Sequence, residues 1–384
     1  METRVVSDAA LVPEGDWDAL ASNVYQTRAW FLTNQRQWPG TDFAYFAAYR
    51  DGTLRAVLPV YDRPGSFYVA PSTLLFRSRS RLGASLGYAI VGSPMSFDSD
   101  VIGDRGCLAP LIECAVAHFT AVGADLIAFP FCREPIHRTR AVYRPSLVDF
   151  DLELPGSSFD DYLASLSRRR RGEVRREIRA ARGLRFEDFP LSGHEHLVAA
   201  YRRLAAGRHG RFTDLDASFY EQLAENMGER SRVLLAMSPQ APTAAGPAFS
   251  GRYGWVIGAS CYLEYGGKTF LLHGGAVRER FAYFNLTFYE LIRLAYRRGI
   301  RSINFRPAGD EAKSNRGCVS RRTVACFEPI SLRGRAALAV LAPALDSRRW
   351  IERRLRRAWG SLRPREDVDA RPVSGSTAAG DSRS

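Results

Sequence analysis

The sequence predicts an α/β protein with mixed sheets, organised as two related domains. Its 384 residues exceed the length of one typical domain, and 46% of them are hydrophobic, enough for two cores. Each half reads as strands, then a helix, then a further strand. We therefore expect an N-terminal domain over residues 1–150 and a C-terminal domain over 151–331.

In the first half, two strand-like runs at Phe43–Tyr49 and Leu54–Tyr61 flank Asp51-Gly52, a strong hairpin signal. Apolar residues recur at helical spacing over Leu108–Val122, and a buried strand is expected at Ala124–Phe131. Another strand is expected at Leu147–Leu154.

The second half predicts a three-strand meander over Arg232–Met237, Trp255–Glu264 and Phe270–His273, the last ended by the turn signal His273-Gly274-Gly275. A helix is then expected from Asn285, as N-cap, to Arg298, with Gly299 ending it. A short strand at Arg301–Phe305 leads into a polar segment that contains Pro307, Gly309, Asp310, Glu311, Lys313, Arg316 and Gly317. Ligands of open α/β sheets usually bind at such a carboxyl strand end.

An arginine-rich helix is predicted over residues 168–182, capped by Ser167 and ended by Gly183. Five arginines fall within about one quarter of its circumference: Arg168, Arg171, Arg175, Arg179 and Arg182. Two interpretations stay open. The stripe is either a solvated face whose arginines reflect GC-rich coding, since the chain has only two lysines, or a phosphate-binding surface. The net charge of +13 agrees with an anionic partner.

Other features exclude several classes. The six cysteines form no C-x-x-C pair, so we expect free thiols in a reducing compartment and no metal site. No signal peptide or bilayer-spanning run is recognised, which predicts a cytoplasmic protein. Residues 332–364 predict a basic amphipathic helical segment that could touch a membrane surface, and residues 365–384 a disordered tail.

Several motifs resemble a known family. They are His273-Gly274-Gly275, Tyr283-Phe284-Asn285-Leu286, Tyr289-Glu290-x-Ile292, Gly299 and Gly309-x-Glu311-x-Lys313-x-x-x-Gly317. This pattern is similar to the second acyltransferase domain of the Fem-type and BioF2-like branch of the GNAT superfamily. The resemblance implies two tandem GNAT-like folds, and acyl or aminoacyl transfer to an amine.

The resemblance also implies partners and roles. The co-substrate would be aminoacyl-tRNA, held by the five arginines, with no bound cofactor, and the acceptor an amine of a small molecule or peptidoglycan precursor. Lys313 matches the family's late lysine, which would assist at the reacting carbonyl. Tyr283, Asn285 and Arg316 would bind substrate.

The chemistry requires loss of an amine proton and stabilisation of an oxyanion. Asp310 or Glu311 could accept the proton, with His273 as the other candidate base. The structural alternatives are surface ion pairs for Glu311 and Lys313, and a hydrogen-bonded strand end for His273.

Two alternative functions remain. Ordinary acetyl-CoA enzymes of the superfamily carry a glycine-rich pyrophosphate loop, whereas the matching segment here, Arg278–Tyr283, has no glycine. This counts against an acyl-CoA donor without excluding one. The other alternative is a non-enzymatic protein that binds nucleic acid or a membrane surface.

Overall fold

The fold centres on one mixed β-sheet. The computed structural model describes residues 1–62, 74–75, 85–136, 140–209, 215–242, 247, 249–251, 254–277, 281–307 and 309–339. The strands in this part are β1 (Glu2–Val6), β2 (Phe43–Arg50), β3 (Thr53–Tyr61), β4 (Tyr88–Val91), β5 (Ile102–Gly103), β6 (Leu126–Cys132), β7 (Val142–Glu153), β8 (Arg185–Pro190), β9 (Ser231–Ser238), β10 (Phe249–Gly251), β11 (Gly254–Tyr265), β12 (Lys268–Ala276), β13 (Ser302–Asn304) and β14 (Val319–Pro329).

Helices cover both halves of this sheet. They are α1 (Glu14–Asp18), α2 (Arg28–Gln37), α3 (Leu108–Ala121), α4 (Phe159–Ser165), α5 (Arg168–Ala180), α6 (Glu195–His209), α7 (Ala217–Met227), α8 (Ala282–Phe284), α9 (Glu290–Arg297) and α10 (Asp310–Ser314). A π-helical turn at Asn285–Tyr289 joins α8 to α9. Residues 332–339 are helical, as expected for the start of the basic segment, and the rest of that segment and the tail lie outside the described residues.

The strand order has the same pattern when read from either end. It runs β1-β2-β3-β4-β6-β14-β7-β13-β12-β11-β9-β8, with β5 and β10 attached at β3 and β11. Each half contains one parallel pair, β4 with β6 and β12 with β13, and its other pairs are antiparallel. The mixed α/β class and the tandem architecture are therefore confirmed.

The two halves exchange their central strands. The late strand β14 pairs with β6 of the first half, and β7 pairs with β13 of the second. Side chains of β14, including Ala325 and Phe327, pack in a core of the first half. The predicted boundary between residues 150 and 151 falls inside β7, so pairing crosses it, and the domain limits stay a prediction.

Local expectations are mostly confirmed. Asp51 and Gly52 turn the β2–β3 hairpin with φ of 53° and 75°, α3 and β6 lie where expected, and the meander is β9-β11-β12. The prediction of a turn at His273-Gly274-Gly275 is wrong, because β12 continues to Ala276. The glycines there serve close packing, since a Cβ on Gly275 would lie 1.9 Å from the Tyr201 carbonyl oxygen of α6.

The predicted start of the helix before β13 is also wrong. The helix begins at Ala282, preceded by Phe281 with φ of 58°. Asn285 does not cap it, because its side-chain amide donates to the carbonyl oxygens of Glu177 (3.1 Å) and Phe281 (3.0 Å). Gly299, at φ of 68°, ends the helix as expected.

Candidate active site

The candidate site lies at the carboxyl end of β13, where the chain leaves the sheet. β12 and β13 pair in parallel only over Lys268–Phe270 and Ser302–Asn304. Six residues beyond the end of β13, α10 begins at Asp310, with Gly309 at φ of 78° as its N-cap. This short helix carries three of the four predicted catalytic residues, Asp310, Glu311 and Lys313, and directs Lys313 back toward the end of β13.

Lys313 is buried, with 7% of its surface exposed. Its ammonium donates to the carbonyl oxygens of Arg306 (2.5 Å) and Pro307 (3.0 Å) and lies 5.2 Å from the Phe150 ring centroid. Burial lowers the pKa of Lys313 to about 8, assisted by the charge of Arg306 and opposed by Cys318, Asp149 and Asp310. An ammonium has three N–H donors, so one N–H remains beyond the two that these carbonyls bind.

Arg306 lies where β12 and β13 separate. Its guanidinium donates to the carbonyl oxygens of Leu272 on β12 (3.3 Å) and Met95 in the first half (2.8 Å), and stacks 4.4 Å from the Phe97 ring. Its backbone is left-handed, with φ of 61°, a conformation that costs a non-glycine residue energy and is often found at functional sites. The side chain thus fills the divergence of the two strands.

Sequence reasoning missed Asp149 on β7. Its Oδ2 accepts from Asn304 at 2.7 Å, whereas its Oδ1 is buried and has no hydrogen-bond partner in the described chain. Burial raises the pKa of this carboxyl, and the nearby Asp151 raises it further. Such a carboxyl group, beside the end of β13, has the properties of a proton acceptor.

Asp151, two residues along the same strand, is differently placed. It binds Lys268 at 2.8 Å, Arg321 at 3.2 Å and Asn304 at 3.0 Å. Burial alone would raise its pKa, but these bonds hold the pKa below the ordinary aspartate value. Asp151 therefore stays ionised and anchors the strands, whereas Asp149 is the less stabilised anion of the two.

The other predicted acid–base residues have surroundings different from those of Lys313. Asp310 and Glu311 are exposed on α10. His273 is 8% exposed and its Nδ1 bonds the Tyr220 hydroxyl at 2.9 Å. Burial, with the charges of Arg202 and Arg306, lowers the pKa of His273 well below its usual range. Their catalytic roles stay predictions.

The residues predicted to bind substrate are mostly internal. Asn285 is 1% exposed and Arg316 is 5% exposed. The Arg316 guanidinium donates to Glu177 Oε2 (2.6 Å), the Tyr289 hydroxyl (2.9 Å) and the Ala312 carbonyl oxygen (2.8 Å). Because both side chains bind the protein itself, we assign them structural positions. Tyr283, at 38% exposure, keeps a ring that is accessible to a ligand.

Four of the five stripe arginines lie on α5, which is capped by Ser167 as predicted but ends at Ala180, so Arg182 lies in the turn after the helix. Arg168, Arg175, Arg179 and Arg182 are exposed, and no carboxylate in the described chain pairs with them. Arg171 differs, because its guanidinium donates to the carbonyl oxygens of Ala164 (3.1 Å) and Leu166 (3.0 Å). The stripe thus presents four free cations, and Arg171 is a brace between α4 and α5.

Three further observations concern pockets, metal-binding clusters and membrane-spanning helices. Two surface depressions of about 370 and 190 Å³ have linings that do not include Lys313, so the prediction of a pocket around Asp310, Glu311 and Lys313 finds no support there. The described residues contain no cluster of metal-binding side chains. No helix within the described ranges is long and apolar enough to cross a bilayer.

Comparison with known proteins decides the family. A family model named FemAB-like, described as peptidoglycan biosynthesis and recognition, matches residues 148–341, half of the chain. The chain belongs to the FemAB-like family. This confirms the resemblance inferred from the motifs around Lys313, and with it the prediction that the protein is an acyltransferase. No curated protein matches the sequence.

Solved structures agree on the fold. FemX aligns over 89% of this chain and 100% of its own, with 14% identity and a TM-score of 0.56. The C-terminal domain of a lysylphosphatidylglycerol synthetase from Agrobacterium fabrum aligns over 85% of this chain and 94% of its own, with 12% identity and a TM-score of 0.51. At these identities the similarity is evidence for the fold of this FemAB-like protein and for nothing beyond the fold.

Proposed function

We propose that this FemAB-like protein transfers an aminoacyl group from aminoacyl-tRNA to an amine of a small molecule or a peptidoglycan precursor. The observation that carries the proposal is the buried ammonium of Lys313 at the carboxyl end of β13. Two carbonyls fix its position, and its remaining N–H can bind one more acceptor. That acceptor would be the oxyanion of the tetrahedral intermediate.

The reaction balances without a metal or an oxidant. The amine nitrogen attacks the ester carbonyl carbon, the C–N bond forms, and the carbonyl oxygen becomes an oxyanion beside Lys313. The C–O bond to the tRNA ribose then breaks, and the released ribose hydroxyl takes up a proton. Asp149 is the group that we assign to accept the proton of the attacking amine, since its Oδ1 has no competing partner in the described chain.

Two features favour a tRNA donor over acyl-CoA. The four exposed arginines of the stripe, three on α5 and Arg182 just after it, pair with no carboxylate in the described chain and form a cationic face suited to a phosphate backbone. In addition, the Arg306 side chain occupies the space where β12 and β13 separate. An acyl-CoA arm would need that space. The predicted pyrophosphate segment at Arg278–Tyr283 lies partly outside the described residues.

The likeness of FemX and of the lysylphosphatidylglycerol synthetase domain agrees with aminoacyl transfer. The family description points to a peptidoglycan-precursor amine as acceptor. We place the reaction in the cytoplasm, where aminoacyl-tRNA is made, and the six free cysteines agree with a reducing compartment. Contact of the basic C-terminal segment with a membrane surface is part of the same proposal, since some acceptors are membrane-bound.

The test is direct transfer. The purified protein is incubated with tRNA charged with radiolabelled amino acids and with amine acceptors, and amide products are identified by mass spectrometry. Parallel reactions contain acetyl-CoA and longer acyl-CoA donors. We expect amide formation from aminoacyl-tRNA, and a loss of about 10²- to 10³-fold in Lys313→Met. Transfer from acyl-CoA but not from aminoacyl-tRNA would overturn the proposed donor.

A further inference from the structure

Helix α5 has two functionally distinct sides. Arg168, Arg175 and Arg179 of the stripe lie on one side and Glu177 on the opposite side, because at 100° per residue each of the three is about 160° to 180° from Glu177 around the helix. Glu177 is 9% exposed. The helix therefore presents its cations to solvent and buries a carboxylate beneath them.

The buried carboxylate reaches the segment that carries Lys313. Glu177 Oε2 accepts from the Arg316 guanidinium at 2.6 Å and from the Tyr289 hydroxyl. Arg316 Nε in turn donates to the Tyr289 oxygen at 2.9 Å, which closes a three-membered network. The guanidinium also stacks 3.9 Å from the Phe284 ring, so helix α8 and the π-helical turn hold it from a further side.

Arg316 is held through both its side chain and its main chain, and it thereby holds α10. Its side chain donates to the Ala312 carbonyl oxygen at 2.8 Å, one residue before Lys313, and its own carbonyl oxygen accepts from the Tyr162 hydroxyl at 3.1 Å. A buried guanidinium with three fixed partners has little freedom to move. Its position therefore fixes the path of the chain through Lys313.

We propose that Glu177 and Arg316 are positioning residues that hold Lys313 at the end of β13 and couple its placement to anion binding on the opposite face of α5. A catalytic consequence of this coupling rests on the proposed function, whereas the placement of Lys313 does not. A polyanion that seats on the exposed arginines would shift α5 as a rigid element, and Glu177 would transmit that shift to α10.

The sequence offers a direct probe, because Lys268 and Lys313 are its only lysines. Protein labelled with carbon-13 at lysine Cε gives two side-chain NMR signals, and each can be titrated without any substrate. Lys268, which binds Asp151 on the sheet, serves as the internal reference. In the wild type we expect the Lys313 signal to titrate near pH 8.

Two variants break the network. Arg316→Met removes the guanidinium but leaves the buried Glu177 carboxylate without its cation. The double variant Glu177→Gln/Arg316→Met avoids this unpaired charge. In both we expect Lys313 to become solvated and its pKa to rise toward the ordinary value of about 10.4. Glu173→Gln is the matched control: Glu173 lies one turn earlier on α5 and, among the described residues, pairs only with the exposed Arg169, so Lys313 should titrate as in the wild type.

A folded double variant in which Lys313 still titrates near pH 8 would overturn the inference, as would an equal shift in Glu173→Gln. Addition of uncharged tRNA to the wild type should move the Lys313 titration and leave that of Lys268 in place; an unmoved Lys313 signal at saturating tRNA would overturn the coupling. If the variants shift Lys313 but the wild type transfers no aminoacyl group, the proposed function fails and the positioning role stands.

Discussion

The Lys313 ammonium donates to the main-chain oxygen of Arg306, 2.5 Å away, and Arg306 itself adopts a left-handed backbone with φ of 61°. The unusual backbone turns the chain sharply just after β13. That turn aims the Arg306 oxygen at Lys313 while the guanidinium points back between β12 and β13. Arg306 therefore occupies the space where β12 and β13 separate and also positions the Lys313 ammonium.

The first prediction concerns Lys313. Its folded-state pKa, about 8, is below the unfolded value of about 10.4, so the folded protein disfavours the charged form. At pH 7 this opposes folding by up to about 3 kcal/mol, and the penalty disappears as the pH rises through both values. Lys313→Met should therefore lose transfer activity yet be at least as stable as the wild type at pH 7.

The measurement is urea unfolding of both proteins between pH 7 and 10.5. The difference in unfolding free energy should move in favour of the wild type between about pH 8 and 10.4. Lys268→Met is the contrasting variant, because it removes the 2.8 Å ion pair with Asp151 and should be less stable at pH 7. A difference between wild type and Lys313→Met that stays constant with pH would contradict the buried, weakly basic lysine.

The second prediction concerns the backbone of Arg306. Arg306→Gly and Arg306→Ala both remove the donors to Leu272 and Met95, but only alanine retains the left-handed strain. We expect the glycine variant to be more stable than the alanine variant by about 1 kcal/mol. The same pair at Arg176, exposed within α5, should give the opposite order, since glycine weakens a helix interior by about 1 kcal/mol. The same order of stability of the glycine and alanine variants at both positions would contradict backbone strain at Arg306.

Sequence reasoning found Lys313 and the arginine stripe because each lies in a local pattern. A polar segment after a short strand and a 3.6-residue repeat are both visible over fewer than 20 residues. Asp149 gave no such signal, because it reaches the site only through the pairing of β7 with β13, whose paired residues are 149 to 153 positions apart in sequence. The exchange of β7 and β14 was equally invisible, since both strands continue their own half in chain order.

Errors in local structure have a tertiary cause as well. Gly274 and Gly275 resemble a turn, but they continue β12 because α6 and the π-helical turn pack against them without room for a Cβ. Asn285 resembles an N-cap, but its amide binds the Glu177 carbonyl oxygen on a distant helix. Arg316 resembles a substrate ligand, and only the partner Glu177, 139 residues earlier, reveals its internal role.

The third prediction separates stability from activity at Asp149. Burial raises the pKa of this carboxyl, so the ionised form opposes folding once the pH exceeds the unfolded value of about 3.9, most fully above the folded pKa. Asp149→Asn removes the charge and can still accept from Asn304. We expect an unfolding free energy at pH 7 equal to or above that of the wild type, together with slower transfer, by about 10²-fold or more.

Thermal unfolding and single-turnover transfer at pH 7 provide the two measurements. Asp151→Asn is the matched control: its carboxylate binds Lys268 and Arg321, so its loss should lower stability. Normal transfer by a folded Asp149→Asn protein would remove Asp149 as the proton acceptor and return attention to Asp310, Glu311 and His273.

The last prediction concerns the exposed arginines of α5. Arg175→Ala with Arg179→Ala removes two cations that pair with no carboxylate in the described chain, whereas Arg171 is excluded because it braces α4 and α5. If these side chains contact tRNA phosphates, affinity should fall, and the log–log salt slope should decrease in magnitude by roughly 0.7 to 0.9 for each lost contact. The fold should persist, since Val174 and Glu177, the buried positions of α5, are untouched.

The measurement is tRNA affinity between about 50 and 200 mM salt, with circular dichroism to verify folding. Arg50→Ala with Arg55→Ala is the control of equal charge, because both residues are exposed on the β2–β3 hairpin of the first half. Equal slope changes in the two double variants would indicate a general effect of net charge on binding. An unchanged slope in Arg175→Ala/Arg179→Ala would exclude this face of α5 as the tRNA-binding surface, and a slope near zero in the wild type would favour the acyl-CoA donor.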